Sequence, residues 1–304
     1  MRDSARPGNV TLRDGEGGPG AAGCDVAFHS GSGEIVRGLL CCLILAAPLG
    51  AQTPFTAGVS VGSAKLTDQR SERALAGVLQ WQATPWLSLT VLPSFVHVSD
   101  SAKGGSVSSN GIGDLPFSAA AVHAFPTAGA PTIAAALTIV LPTGNATCGL
   151  GNGVTSEGLD IGVGASPSAK LHVSADASRT LSHASSQSTL SAPRATSLLL
   201  GGGYDISASW RADVSLGIDV GQVDSTQALS RVVGGGVSHR LGNALALTVD
   251  GSVGLTPGSP KWVLSLGIGS VFAGTSPVGL SAPLKRLRSG FTGGVNRGNG
   301  KIGC

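Results

Sequence analysis

Charge is scarce in this 304-residue chain: Asp, Glu, Lys and Arg make up 12% of it, and aromatic residues make up 4%. A water-soluble domain usually carries about twice that share of charge. Apolar residues recur throughout, which disfavours disorder, and the 47 glycines follow no three-residue period, which excludes collagen. The net charge of +3 is too small to indicate a nucleic-acid partner.

Long apolar runs and paired cysteines are also missing. No segment reaches 18 consecutive apolar residues, so the sequence predicts no transmembrane helix. Of the five cysteines, only Cys148 and Cys304 lie beyond the first fifty residues, and two cysteines so far apart define neither a disulfide framework nor a metal site. We therefore expect no bound metal and no cofactor.

The first 51 residues are predicted to be an N-terminal extension followed by a secretory signal peptide. The apolar run Gly38–Ala47 follows a basic residue and is too short to span a bilayer. Small residues come next, which places cleavage between Ala51 and Gln52. A short buried helix is one alternative, and Cys41 with Cys42 leaves a lipid-anchored protein as another. The predicted mature chain is exported.

Beyond the signal peptide, apolar and polar residues alternate with a period of two, the pattern of half-buried strands. In 245–255, for example, the odd positions are almost all Leu or Val and the even positions are small or polar. Twelve strands are predicted: 55–66, 73–83, 86–98, 113–125, 131–141, 158–166, 171–179, 196–207, 210–223, 228–240, 244–255 and 261–272.

The connections alternate as well. Those after the even-numbered strands are tight, such as 126–130 and 167–170, whereas those after the odd-numbered strands tend to be longer and polar, such as 142–157. This alternation is typical of outer-membrane barrels, which have short periplasmic turns and longer outer loops. We predict an all-β, transmembrane up-and-down antiparallel β-barrel over residues 52–274, with a basic, disordered periplasmic tail at 275–304.

The few charges of the strands indicate which face is the interior. A soluble sheet exposes Lys, Glu, Thr and Arg, but here the polar rows are mostly Gly, Ala and Ser. An apolar outside in contact with outer-membrane lipid and a small polar inside account for both rows, since lipid tolerates only closed barrels or helices. A secreted soluble sandwich or barrel is the alternative. The predicted lumen-lining residues are Asp160, His172, Asp176, Arg179, Asp205, Arg211, Asp213, Asp219 and Asp250.

Two interpretations of these lumen charges stay open. In the first, Arg179 and Arg211 neutralise the aspartates of neighbouring strands and make a buried polar interior tolerable. In the second, the charges line a path and set its ion preference. A barrel of about twelve strands lies between filled eight-stranded barrels and wide sixteen-stranded pores, so a narrow conduit is expected.

Aromatic residues near strand ends indicate a sparse interfacial belt. Phe272 is expected to close the last strand as the terminal aromatic that barrel-assembly machinery reads. The other members of the expected belt are Trp81, Trp86, Tyr204, Trp210 and Trp262.

Three passages carry a family resemblance: GIGDLPFSAAAVHAF at Gly111–Phe125, ALTIVLPTGNATCGLGNG at Ala136–Gly153, and GLDIGVGAS at Gly158–Ser166. Together with the closing Gly-rich hairpins, they resemble an outer-membrane family named for the meta-pathway of phenol degradation. The resemblance covers Leu87–Phe272. It implies a barrel that helps hydrophobic or aromatic compounds cross, and it supplies no catalytic residues.

No histidine is paired with Ser and Asp at a telling sequence spacing, and no enzyme activity is predicted. The expected function is passive conduction or binding of a small hydrophobic solute in the bacterial outer membrane. A structural or adhesive envelope barrel is the alternative, and a lipid-modifying outer-membrane enzyme is a more distant one.

Overall fold

The computed structural model describes residues 55–102, 105–182, 196–221 and 229–273. Within these ranges, no helix has the length and hydropathy to cross a membrane. The strands are β1 (Phe55–Lys65), β2 (Arg70–Thr84), β3 (Leu87–Val91), β4 (Ser94–Ala102), β5 (Gly105–Ile112), β6 (Leu115–Ala124), β7 (Thr132–Leu141), β8 (Ser156–Ala165), β9 (Leu171–Ser182), β10 (Thr196–Asp205), β11 (Trp210–Gly221), β12 (Arg231–Leu241), β13 (Leu245–Gly254) and β14 (Trp262–Gly269), followed by a 3₁₀ turn at Ser270–Ala273.

One antiparallel sheet contains all these strands and closes on itself, because β1 pairs with β14 on one side and β2 on the other. One half of β2 pairs with β3 and the other half with β4, so β3 and β4 form a single wall strand. β5 and β6 likewise form a single wall strand, because β5 pairs with β4 and β6 pairs with β3. The wall is a closed barrel of twelve strands, which confirms the predicted fold class and strand number.

The connections define two ends of the barrel. The short-turn end has the connections 85–86, 125–131, 166–170, 206–209 and 242–244. The opposite, long-loop end includes residues 142–155, whose structure is described in full, and residues 255–261. Both the first residue of β1 and the final 3₁₀ turn lie at the short-turn end, because β1 and β14 pair along their lengths.

Two neighbouring wall strands are interrupted, each for a local reason. Pro93 separates β3 from β4 because proline has no backbone N–H for the ladder, although its carbonyl still accepts a 2.8 Å hydrogen bond from the Gly77 amide. Between β5 and β6 the pairing with the β3–β4 strand shifts by one residue. The resulting bulge turns both Gly113 and Asp114 to the buried side.

β5 is the element that the sequence did not predict. Residues 99–110 were expected to be a long polar loop, but Gly105–Ile112 pairs with β4 along its whole length. Most residues of this segment are Ser, Gly or Asn on both rows, so the alternation that marks a half-buried strand is missing. The β4–β5 hairpin extends beyond the ends of β7 and β8, where both faces of a strand contact water.

The apolar rows point outward. On β11, Val214 is 65% exposed, and on β8 and β13 Leu159 and Val249 are also exposed. The alternate residues Asp160 and Asp250 are buried on the inner side. An apolar outer band over a polar interior is the arrangement of a barrel immersed in lipid.

The predicted aromatic belt lies on the outer face except for Phe272. Trp81, Trp86, Tyr204 and Trp210 are exposed near the short-turn end, and Trp262 is exposed near the other end. The prediction that Phe272 closes the last strand is wrong, because β14 ends at Gly269 and the 3₁₀ turn directs Phe272 into the interior, where it is 8% exposed. Its ring lies against the inner faces of Gly58 and Gly267, which offer the space.

Candidate functional site

The candidate site is the lumen, whose wall consists of the inward rows of the twelve strands. Most inward side chains are small: Ser60, Thr138 and Ser265 are all buried on this face. Small inward side chains occupy less of the interior than large ones would, and a twelve-stranded barrel is wider than an eight-stranded one.

Eight of the nine predicted lumen residues lie on inward rows. The exception is Arg179, which is exposed and pairs with the outward residue Leu159. The prediction for Arg179 is wrong because it lies three positions from Asp176, and strand side chains alternate with a period of two. The inward eight are Asp160, His172, Asp176, Asp205, Arg211, Asp213, Asp219 and Asp250.

Within the described ranges, five further charged residues lie on the inner side and were not predicted. Two lie on β2, one near the outer end of β4, one in the β5–β6 bulge and one on β12. The same alternation marks four of them, whereas the bulge at Asp114 has no signal in a period-two pattern. They are Arg70, Glu72, Asp100, Asp114 and Arg240.

A polar cluster at the short-turn end joins β8 to β11; we call it the rim cluster. Ser166 Oγ lies 2.8 Å from His172 Nδ1, and His172 Nε2 lies 2.8 Å from Asp205 Oδ2. The Nε of Arg211 is 3.5 Å from a carboxylate oxygen of Asp205 and 3.5 Å from one of Asp213. The cluster connects the turn after β8 to β9, β10 and β11 through side chains.

The sequence spacing did not indicate this pairing of His172 with Ser and Asp. The tight connection 166–170 brings Ser166 back toward the first residues of β9, and the β9–β10 pairing brings Asp205 alongside. These contacts depend on the hairpin and the strand register rather than on a sequence motif. Among the described residues, no group of three or more His, Cys, Asp or Glu side chains is arranged to hold a metal ion.

Residues 142–155 do not project away from the barrel; they fold against the inner face of the wall. Asp114 Oδ1 accepts a 3.1 Å hydrogen bond from the Gly144 amide, and Asp114 Oδ2 accepts one of 2.7 Å from the Asn152 amide. On the β2 side, Arg70 Nη2 donates to the Gly149 carbonyl at 3.1 Å. The bulge aspartate and an inward arginine therefore hold this inner loop at two places.

The inner loop brings apolar side chains into the lumen. Cys148 and Leu150 pack on Ala74, Val96 and Val98 of β2 and β4. These five buried residues form one half of what we call the apolar patch, the half nearer the long-loop end.

The other half of the apolar patch lies nearer the short-turn end of the barrel. Val271 and Phe272 pack on Val78, Leu92 and Ala246. β2 and the β3–β4 strand contribute to both halves, so this side of the lumen is apolar along much of its length. The aspartates of β8 to β13 lie on the other strands of the wall.

The sequence matches one family over most of its length. Residues 45–271 match the model of a family described as "Putative MetA-pathway of phenol degradation". Among curated protein sequences, none is a significant match.

Among solved structures, the chain is similar to an outer membrane channel from Pseudomonas putida F1, with a TM-score of 0.56 and 19% identity over 72% of this chain and 96% of that chain. It is also similar to the KdgM porin, with a TM-score of 0.47 and 8% identity over 70% and 97% of the two chains. The Ralstonia pickettii toluene transporter TbuX has a TM-score of 0.41 and 12% identity over 71% and 88%. The first of these likenesses shows the fold.

The family match spans nearly the whole described barrel, including the bulge aspartate, the inner loop and the closing strand. The closed twelve-stranded wall and its apolar outer rows place the protein in the bacterial outer membrane. The chain belongs to the outer-membrane family described as "Putative MetA-pathway of phenol degradation".

Proposed function

We propose that this barrel passively conducts a small hydrophobic or aromatic solute across the outer membrane. The observation that carries the proposal is the apolar patch on the inner wall. Phe272 and Leu150 are both buried on the inner side of a wall whose other inward side chains are mostly small or polar. These side chains pack on one another along one side of the inner wall, and a wall with apolar side chains favours an apolar solute over a hydrated one.

The comparisons support the same proposal at a coarser level. The matching family is named for phenol degradation, a process that begins with an aromatic compound. The similar structure from Pseudomonas putida F1 is described as an outer membrane channel.

The rim cluster is assigned to the stability of the wall rather than to catalysis. His172 lies between a hydroxyl and a carboxylate, as in a hydrolase, but the same carboxylate is also close to Arg211. The positive guanidinium competes for the charge that Asp205 would otherwise supply to the imidazole. Contacts of this kind satisfy buried polar groups and hold β8 to β11 together.

Vesicle uptake of matched solutes tests the proposal. Phenyl glucoside and methyl glucoside share a neutral sugar and differ in the aromatic ring, and neither crosses lipid readily. We expect vesicles that contain the full chain to take up phenyl glucoside faster than methyl glucoside. Replacing Phe272 with Ser should reduce this ratio by a factor of about 5, which corresponds to the loss of about 1 kcal/mol of apolar contact.

Phe55→Ser is the matched control, because Phe55 is an exposed aromatic residue on the outer face near the same end of the barrel. It should leave the ratio unchanged. A folded barrel that admits neither sugar would contradict the proposal and favour a structural or adhesive role. Equal uptake of the two sugars would reject the preference for an aromatic solute.

A further inference from the structure

The charges of the described strands are sorted between the two faces of the wall. The inner side carries nine carboxylates, namely the acidic residues placed there above, against three arginines and His172. On the outward rows, basic residues outnumber acidic ones. The basic residues are Lys65, Arg73, Arg179 and Arg231, and the acidic residue is Glu157. Although the whole chain has a formal net charge of +3, the inner wall formed by its described residues is predominantly acidic.

These carboxylates are distributed along the lumen rather than grouped at one end. Asp213 lies toward the short turns, Asp160 and Asp250 lie within the middle of their strands, and Asp219 and Asp100 lie toward the long loops. A solute that passes from one end to the other therefore meets acidic side chains at each level.

Small cross-strand neighbours shape this surface. A Cβ atom on Gly162 would collide with the carboxylate of Asp176, and one on Gly236 would collide with that of Asp250. A Cβ on Gly203 would lie 2.7 Å from Asp213 Oδ1. These carboxylates thus lie over glycines of the adjacent strand, close against the inner wall.

We propose that this lumen favours aromatic solutes that carry a positive charge over those that carry a negative charge. The inference rests on the proposed function and adds to it a charge preference. Acidic groups on a concave wall of low dielectric raise the local concentration of cations and repel anions. In this proposal, the apolar patch on β2 to β4 favours the aromatic ring of the solute. The carboxylates of β8 to β13, on the remaining part of the wall, attract its positive charge.

Three aromatic probes separate this inference from the proposed function. Trimethylphenylammonium is a permanent cation, benzenesulfonate is a permanent anion, and phenyl glucoside is neutral. In vesicles that contain the full chain, we expect the cation to enter faster than the anion by a factor on the order of 10 at low salt. The ratio should fall as salt is added, because ions screen the wall charges.

Isosteric variants test whether the wall charges cause the preference. The double variant Asp160→Asn and Asp250→Asn removes two inner carboxylates with little change of shape, and it should lower the cation-to-anion ratio severalfold. Glu157→Gln removes a carboxylate from the outer row of β8, so it should leave the ratio unchanged. The heat-dependent gel mobility of folded barrels verifies that each variant has folded.

Each remaining outcome decides one of the two proposals. If phenyl glucoside enters but the anion is as fast as the cation, the charge preference is rejected and the proposed function stands. If the double variant folds and keeps the full ratio, the inner carboxylates are not its cause and the inference is overturned. If none of the three probes enters, the proposed function fails, and the charge preference fails with it.

Discussion

At the scale of single residues, glycine and aspartate are paired across strands of the inner wall. Asp176 lies over Gly162 and Asp250 lies over Gly236, so the absence of a side chain on one strand makes room for the carboxylate of the next. Among the described strand glycines, Gly162 and Gly236 thus lie opposite inward carboxylates, and Gly58 and Gly267 lie beneath the Phe272 ring. Glycine weakens a strand by itself, so a close approach of another group is the physical reason to retain it there.

The outward direction of an apolar side chain can be tested on β11. Leu216 pairs with the outward residues Leu200 and Val233 near the middle of the strand. Leu216→Lys places a charge in the lipid, and we expect it to destabilise the barrel by about 2–4 kcal/mol. Urea unfolding in lipid vesicles measures this free energy.

Ser215→Lys is the matched comparison for Leu216→Lys. Ser215 is the adjacent residue on the inward row, and its cross-strand neighbours are Gly201 and Gly234. These glycines leave room for the longer side chain, so its ammonium group can stay hydrated in the lumen. Equal destabilisation by the two lysines would show that the assigned faces of β11 are incorrect.

At the scale of elements, the alternation of the sequence located the strands but not the segments that enter the lumen. Each of the twelve wall strands contains a stretch in which residues alternate, and the missed β5 is the part of one wall strand with polar residues on both rows. The period of two also determines which face of the wall a side chain lies on. Arg179 is three residues from the inward Asp176, so the alternation places it on the outer face. The inward fold of 142–155 depends on hydrogen bonds to Asp114 and Arg70 and leaves no periodic signal.

Asp114 is predicted to be the residue that keeps the inner loop folded against the wall. Asp114→Ala would leave the amides of Gly144 and Asn152 without their acceptor, at a cost of about 1–3 kcal/mol for each amide that stays buried. The loop should then detach rather than remain buried with unsatisfied amides. Limited proteolysis within 142–155 and a larger single-channel conductance are the expected signs.

Asp114→Asn gives a graded control, since the amide keeps one acceptor oxygen and should give intermediate proteolysis. Thr147→Ala is a second control, because the Thr147 hydroxyl donates a hydrogen bond to Asn145 Oδ1 within the exposed turn. An Asp114→Ala protein with normal protease resistance and conductance would show that other contacts hold the loop.

At the scale of the whole molecule, the fold depends on one seam, where the first and last strands meet. β1 and β14 pair from Gly58–Gly269 at the short-turn end to Lys65–Trp262 at the other. This pairing removes the free edges that lipid cannot satisfy, so it determines whether the chain is a barrel at all. The sequence showed that closure is required, but not that the seam would bring Gly58 and Gly269 so close.

Gly269 is predicted to be intolerant of any side chain. A Cβ atom there would collide with the Gly58 Cα and the Ala57 carbonyl oxygen, both of which are backbone atoms that cannot rotate away. Gly269→Ala should therefore force β1 and β14 apart at the short-turn end and lower the temperature at which the folded barrel loses its fast gel mobility. Gly251→Ala is the matched control, because a Cβ on this strand glycine would have its nearest neighbour at 3.6 Å, an ordinary contact. If the two alanine variants unfold at the same temperature, close backbone packing at the seam is not what limits closure of the barrel.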